Sequence, residues 1–230
     1  MTSANLPLAT IERPEPRWPA VIAIFAAVAL HFALPAPMRA THPWLLSIII
    51  GVLVISAATT RRFGLHRQNG WAAYAILVVL ALGLLMGVAR LFEVLVHHVA
   101  GTPNVDAPEI LRSAAVLWAT NVIVFALLYW RLDAGGPNAR ERRDAHTSGA
   151  FLFPQMTVSS PTAENATIAE DEGWRPHFVD YLFVAFNTST AFSPTDAPVL
   201  SKWAKIAMMV QALISFTTVV LIAARAVNIL

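Results

Sequence analysis

Residues 71 to 99, WAAYAILVVLALGLLMGVARLFEVLVHHV, constrain the fold of this chain more than any other stretch. As a helix the run would be roughly 43 Å long at about 1.5 Å per residue, longer than the hydrocarbon core of a bilayer, about 30 Å. It is therefore read as a transmembrane helix whose C-terminal turns, with Arg90, Glu93, His97 and His98, tilt or stand out of the lipid.

Four further apolar runs share this character: residues 19 to 36, 44 to 60, 110 to 130 and 202 to 230. Of 230 residues, 57% are hydrophobic and 13% charged, against about 25% charged in soluble domains. The expected fold is an all-α, polytopic transmembrane bundle of about six helices, with no large soluble domain. Residues 1 to 18 are read as an N-terminal tail, because neither a basic start nor a small-x-small cleavage site marks a signal peptide. A four-helix transmembrane region at 19 to 130, a polar loop at 131 to 173 and a C-terminal unit at 174 to 230 follow. A net charge of +2 gives no argument for nucleic acid, and the lack of cysteine excludes disulfides and zinc-thiolate sites.

Arginine places the connections. Arg61, Arg62 and Arg67 lie between the second and third runs, and Arg131, Arg140, Arg142 and Arg143 follow the fourth. The positive-inside rule puts both connections, and with them the N-terminus, in the cytoplasm of a multi-pass cell-membrane protein. Within 131 to 173 the one apolar island, FLFPQM at 151 to 156, is expected to lie on the membrane surface or to plug a groove.

Residues 174 to 201, WRPHFVDYLFVAFNTSTAFSPTDAPVLS, contain the most polar helix of the chain, bounded by Pro194 and Pro198. Polar, irregular backbone at membrane depth is tolerated only where protein or a water-filled cavity covers it. Asp180, Asn187, Thr188, Thr190, Ser193, Thr195 and Asp196 are therefore the candidate residues of a pore or solute path.

The stretch DYLFVAFNTSTAFSPTD, followed by a proline, a basic residue and a long apolar helix, resembles the pore module of two-helix potassium channels. Phe186, Thr188 and Thr190 match that pattern and Asp196 stands at its terminal aspartate, but AFSPTD replaces the glycine-containing filter. Glycines permit the backbone conformations that aim carbonyls at the ion, so the departure argues against potassium selectivity. FLFPQ, WRPHFVDYLFVAFNTSTAFSPTD and ARAVNIL also resemble a group of bacterial multi-pass membrane proteins, a likeness that implies no particular activity. A channel-type pore helix enters from outside, whereas the arginine count starts this segment in the cytoplasm. Residues 177 to 194 are accordingly expected to form a full fifth span with a sixth returning, which leaves Lys202 and Lys205 outside. Five spans plus a re-entrant, pore-like helix are the alternative.

Arg90 and Glu93, three apart, form the expected intramembrane polar pair. Asn121 is expected to tie helices together, and Asp180 either to pair with Arg175 or another basic residue or to face solute. His97 and His98 point to different helix faces, against a joint metal site. No HExxH, GxSxG or phosphate-binding glycine loop occurs. The expectation is a non-enzyme without cofactor or metal, whose partners are the bilayer, copies of itself and an ion or small solute. Two functions stay open: a channel or transport component using 177 to 196, and a non-catalytic scaffold or partner-binding subunit.

Overall fold

The structure, a computed structural model, describes residues 15–36, 39, 43–63, 66–99, 107–141, 149–156, 174–190 and 197–229. Among them are six main helices: α1 (Trp18–Ala33), α2 (Pro43–Arg62), α3 (His66–Val99), α4 (Ala107–Leu132), α5 (Phe178–Thr190) and α6 (Lys202–Ile229). A single helical turn lies at Pro137–Arg140, and Phe151 forms an antiparallel bridge with Val199. The all-helical expectation holds.

Proline sets several of these boundaries. Pro19 opens α1, where a missing N–H costs nothing, and Pro43 opens α2. Leu34, at φ −67° and ψ 142°, leaves the helical region because it precedes Pro35.

α4 is the centre of the bundle. Helices α1, α3, α5 and α6 pack against it, and α2 packs against α3. Ala114, Leu117, Asn121, Val124, Ala126 and Tyr129 of α4 are all buried. A Cβ at Gly87 of α3 would stand 2.6 Å from Leu117 Cδ2, so glycine is what lets α3 approach α4 this closely. The outward faces are apolar instead of charged. Ile22 and Phe25 of α1, Val52 and Ile55 of α2, Leu82 and Leu85 of α3, and Leu213 and Phe216 of α6 are exposed. Helices α3, α4 and α6 are long and apolar enough to cross a membrane, while α1 and α2 are shorter apolar helices. A greasy exterior around a core with polar ties suits lipid as the solvent.

Side-chain contacts give the helix directions. Tyr74 and Gly70 of α3 meet Arg131 of α4, and Gly87 meets Leu117, so α3 and α4 are antiparallel. Tyr181 of α5 meets Asp133 just beyond α4, and Ser189 meets Trp118, so α5 is also antiparallel to α4. Between α5 and α6 the pairs are Ala185 with Gln211 and Ser189 with Ser215. A constant sequence offset means parallel helices. Both α5 and α6 begin at the end where α4 finishes.

This corrects the expected full fifth span. With 13 residues, α5 reaches about 20 Å, short of a span of roughly 20 residues. Ser189 is level with Trp118 and Ser215, yet α4 extends about 16 Å past Trp118 and α6 about 21 Å past Ser215. The described helix ends partway, at Thr190, and by Val199, bridged to Phe151, the chain is back at the end where it entered. Hydrogen-bonded register fixed this direction, and register leaves no mark in hydropathy.

Lys202 and Lys205 lie with the arginines. Arg17, Arg62, Arg131, Arg140, Arg175, Lys202 and Lys205 all belong to the end where α1, α3, α5 and α6 begin and α2 and α4 finish. It is called the basic end below.

Candidate functional site

Two polar assemblies hold the half-length helix α5, one at its inner end and one at its entrance.

The inner assembly centres on Gln211 of α6, fully buried. Its amide donates to the Ala185 carbonyl at 2.7 Å and to Ser189 Oγ at 2.8 Å, while its own carbonyl accepts the Tyr129 hydroxyl of α4 at 2.6 Å. Asn121 Nδ2 donates to the Gln211 backbone carbonyl at 3.1 Å, which is the helix-tying role expected of it. Ser215 Oγ donates to the Ser189 carbonyl at 2.7 Å, and Trp118 Nε1 reaches the same oxygen at 3.4 Å. Three helices are thus locked by side chains that find partners where water is excluded.

Among the expected path residues, Thr188 is buried and donates back to the Val184 carbonyl at 2.8 Å. Thr190 is exposed and donates to the Phe186 carbonyl at 2.9 Å. Asn187 is half-buried. Ser193, Thr195 and Asp196 lie outside the described residues. The outward stripe of α5 consists of Val179, Phe183 and Phe186, apolar until Thr190. Asp180 has a local role: its Oδ2 accepts the His177 backbone N–H at 2.7 Å, half of a capping box at the start of α5.

The entrance assembly was not foreseen, because residues 131 to 173 read as a polar loop. Asp133 is fully buried, accepting the Tyr181 hydroxyl at 2.6 Å on one oxygen and the Ala150 N–H on the other. Arg140, also buried, donates to the Trp130 carbonyl at 2.9 Å and the Asp133 carbonyl at 3.0 Å, and pairs with Glu15, Nη2 reaching both carboxylate oxygens at 3.0 and 3.1 Å and Nε one of them at 3.3 Å. Its guanidinium lies 5.3 Å from the Tyr181 ring centre. Leu152 N–H donates to the Pro198 carbonyl at 2.9 Å and Leu200 N–H to Ala150 at 2.7 Å. Phe151 is inserted among Tyr129, Tyr181 and Trp203, so the FLFPQM island fills a groove between α4, α5 and α6. The apolar island was the one sequence signal for this packing. Asp133 and Arg140 gave none.

Arg90 and Glu93 pair at 3.2 Å on the outer face of α3, each side chain about half exposed. Among the described residues no group of three His, Asp or Glu side chains could hold a metal ion. Comparison with protein-family models, curated proteins and solved structures gave no match.

Proposed function

We propose that this membrane protein is a channel or transport component for a small cation, in which α5 acts as a re-entrant half-helix. The observation that carries the reading is that α5 and α6 enter from the same end while α5 stops level with Trp118 of α4. A helix that ends partway leaves its C-terminal carbonyls at depth, with the negative end of its dipole directed inward. Half-helix C-termini of that kind favour cations in membrane transporters. Thr190 and the following Ser193, Thr195 and Asp196 are the proposed path residues. One such hairpin cannot enclose a pore, so several copies assemble it, with Val179, Phe183 and Phe186 turned to a neighbour. The basic end is assigned to the cytoplasm, an orientation supported by Lys202 and Lys205 lying with the arginines.

The scaffold reading has its own support: Thr188 and Ser189 are spent on bonds inside the bundle, and the exposed stripe of α5 is apolar. Cation flux into proteoliposomes separates the two. Flux above protein-free vesicles, changed by Thr190→Ala at equal protein incorporation, supports the path. Flux equal to that of empty vesicles for potassium, sodium and protons would sink it and leave the scaffold.

A further inference from the structure

Arg131 sits at the last turn of α4, where α1 and α3 also present their basic ends. It is only 8% exposed. Its guanidinium lies 4.7 Å from the Tyr74 ring centre, and its one hydrogen bond among the described residues is a long one, from Nη2 to the Gly70 carbonyl at 3.5 Å. Nε is buried without a partner among the described residues. Among the described residues no carboxylate lies within ion-pair distance of it. The nearby acids are engaged elsewhere: Glu15 on Arg140, Glu141 on Arg17, Asp133 on Tyr181 and the Ala150 N–H. The like charges of Arg17 and Arg140 act on Arg131 as well.

Arginine does not lose its proton in proteins, and a buried charge without a counter-ion is strongly unfavourable. An anion from outside the chain would resolve this. The surroundings say which anion. Directly beside the guanidinium is a small apolar notch of about 40 Å³, open on one side and lined by Ile24 of α1, Ala73, Ile76 and Leu77 of α3, and Leu127 and Trp130 of α4. A charged group next to an apolar notch between apolar helices matches the junction of a phospholipid: phosphate on the guanidinium, the first methylenes of an acyl chain in the notch and the rest of the chain running out along the apolar helix faces. The planar donor fork of arginine matches phosphate oxygens in two-pronged fashion, and basic pockets between membrane helices hold anionic head groups.

We infer that Arg131 and the α1–α3–α4 notch form a binding site for the phosphate group and the first methylenes of one acyl chain of an anionic phospholipid. The site is independent of the half-helix and of any transported species. Delipidated protein in mild detergent would be titrated with phosphatidylglycerol, with diacylglycerol and with inorganic phosphate, and bound lipid counted by native mass spectrometry. Phosphatidylglycerol should be retained, and Arg131→Gln should weaken it at least about tenfold through the charge-assisted hydrogen bonds it loses. Ala73→Phe, which fills the notch and leaves the guanidinium in place, should weaken it as well, so that the site can be tested even if Arg131→Gln fails to fold. Retention of diacylglycerol equal to that of phosphatidylglycerol overturns the phosphate contact. Inorganic phosphate protecting the protein from thermal unfolding as well as the lipid does would overturn the lipid assignment. Unchanged binding in Ala73→Phe would overturn the notch.

Discussion

The side-chain amide of Gln211 on α6 donates to the backbone carbonyl of Ala185 on α5 at 2.7 Å, and this bond joins two helices that run in the same direction. Parallel neighbours so close in sequence are unusual in a membrane, since a spanning helix normally returns antiparallel. Here the first helix is short, so the chain comes back before the second begins.

Sidedness follows from that relationship. The chain has no cysteine, so single cysteines report cleanly. Arg62→Cys and Lys202→Cys should react with an impermeant thiol reagent from the same side of sealed vesicles, and Ala36→Cys from the other. Labelling of positions 62 and 202 from opposite sides would restore a full fifth span.

Gln211→Leu removes three side-chain hydrogen bonds, to Ala185, Ser189 and Tyr129. Interhelical bonds in a membrane average about 0.6 kcal/mol, so a loss of roughly 2 kcal/mol is expected. Tyr129→Phe alone should cost less, and the double variant should show coupling because both residues share one bond. Chemical unfolding in detergent measures this. Additive effects would mean the assembly does not act as a unit.

At the entrance, Tyr181→Phe takes the hydroxyl donor from buried Asp133. A hydrogen bond to a charged group contributes about 1.5–3 kcal/mol, which sets the expected loss of stability. If the variant is as stable as the parent, the Asp133 contact is not what fixes the start of α5.

Asp180 makes a sharper distinction between roles. As a capping residue, Asp180→Ala should lower stability by about 1 kcal/mol, while Asp180→Asn, which keeps an acceptor, should change it little. Any cation flux should be the same in Asp180→Asn as in the parent. Flux abolished by Asp180→Asn at unchanged stability would return this residue to the solute path.

How much of this was legible in the sequence depends on the range over which a signal acts. Apolar runs located α1 to α4 and α6, because each helix carries its own hydropathy. The direction of α5 was not legible. Hydropathy has no sign along the chain, and the register comes from Gln211, Ser189 and Ser215 meeting across two helices. Lys202 and Lys205 were the residues that disagreed with a full span, and the structure places them with the arginines. Asp133 and Arg140 looked like solvated loop because their partners are distant: Tyr181 is 48 positions from Asp133, and Glu15 is 125 from Arg140. Thr188 read as a path residue from the polarity of its segment and its match to a channel-type pore pattern, neither of which tells that its side chain is buried in the bundle.

Arginine and lysine are more numerous at the basic end than toward the other, where Arg39, Arg90 and Arg112 lie, so the two ends differ electrically. Copies inserted under the same charge rule all point one way. Two such copies can be superposed only by rotation about the membrane normal, since a two-fold axis lying in the bilayer would turn one upside down. The assembly of copies proposed above would therefore be cyclic, whatever its number. In such an assembly every copy of α5 would enter from one face and end at one depth, so that the inner ends would form a single ring around the symmetry axis.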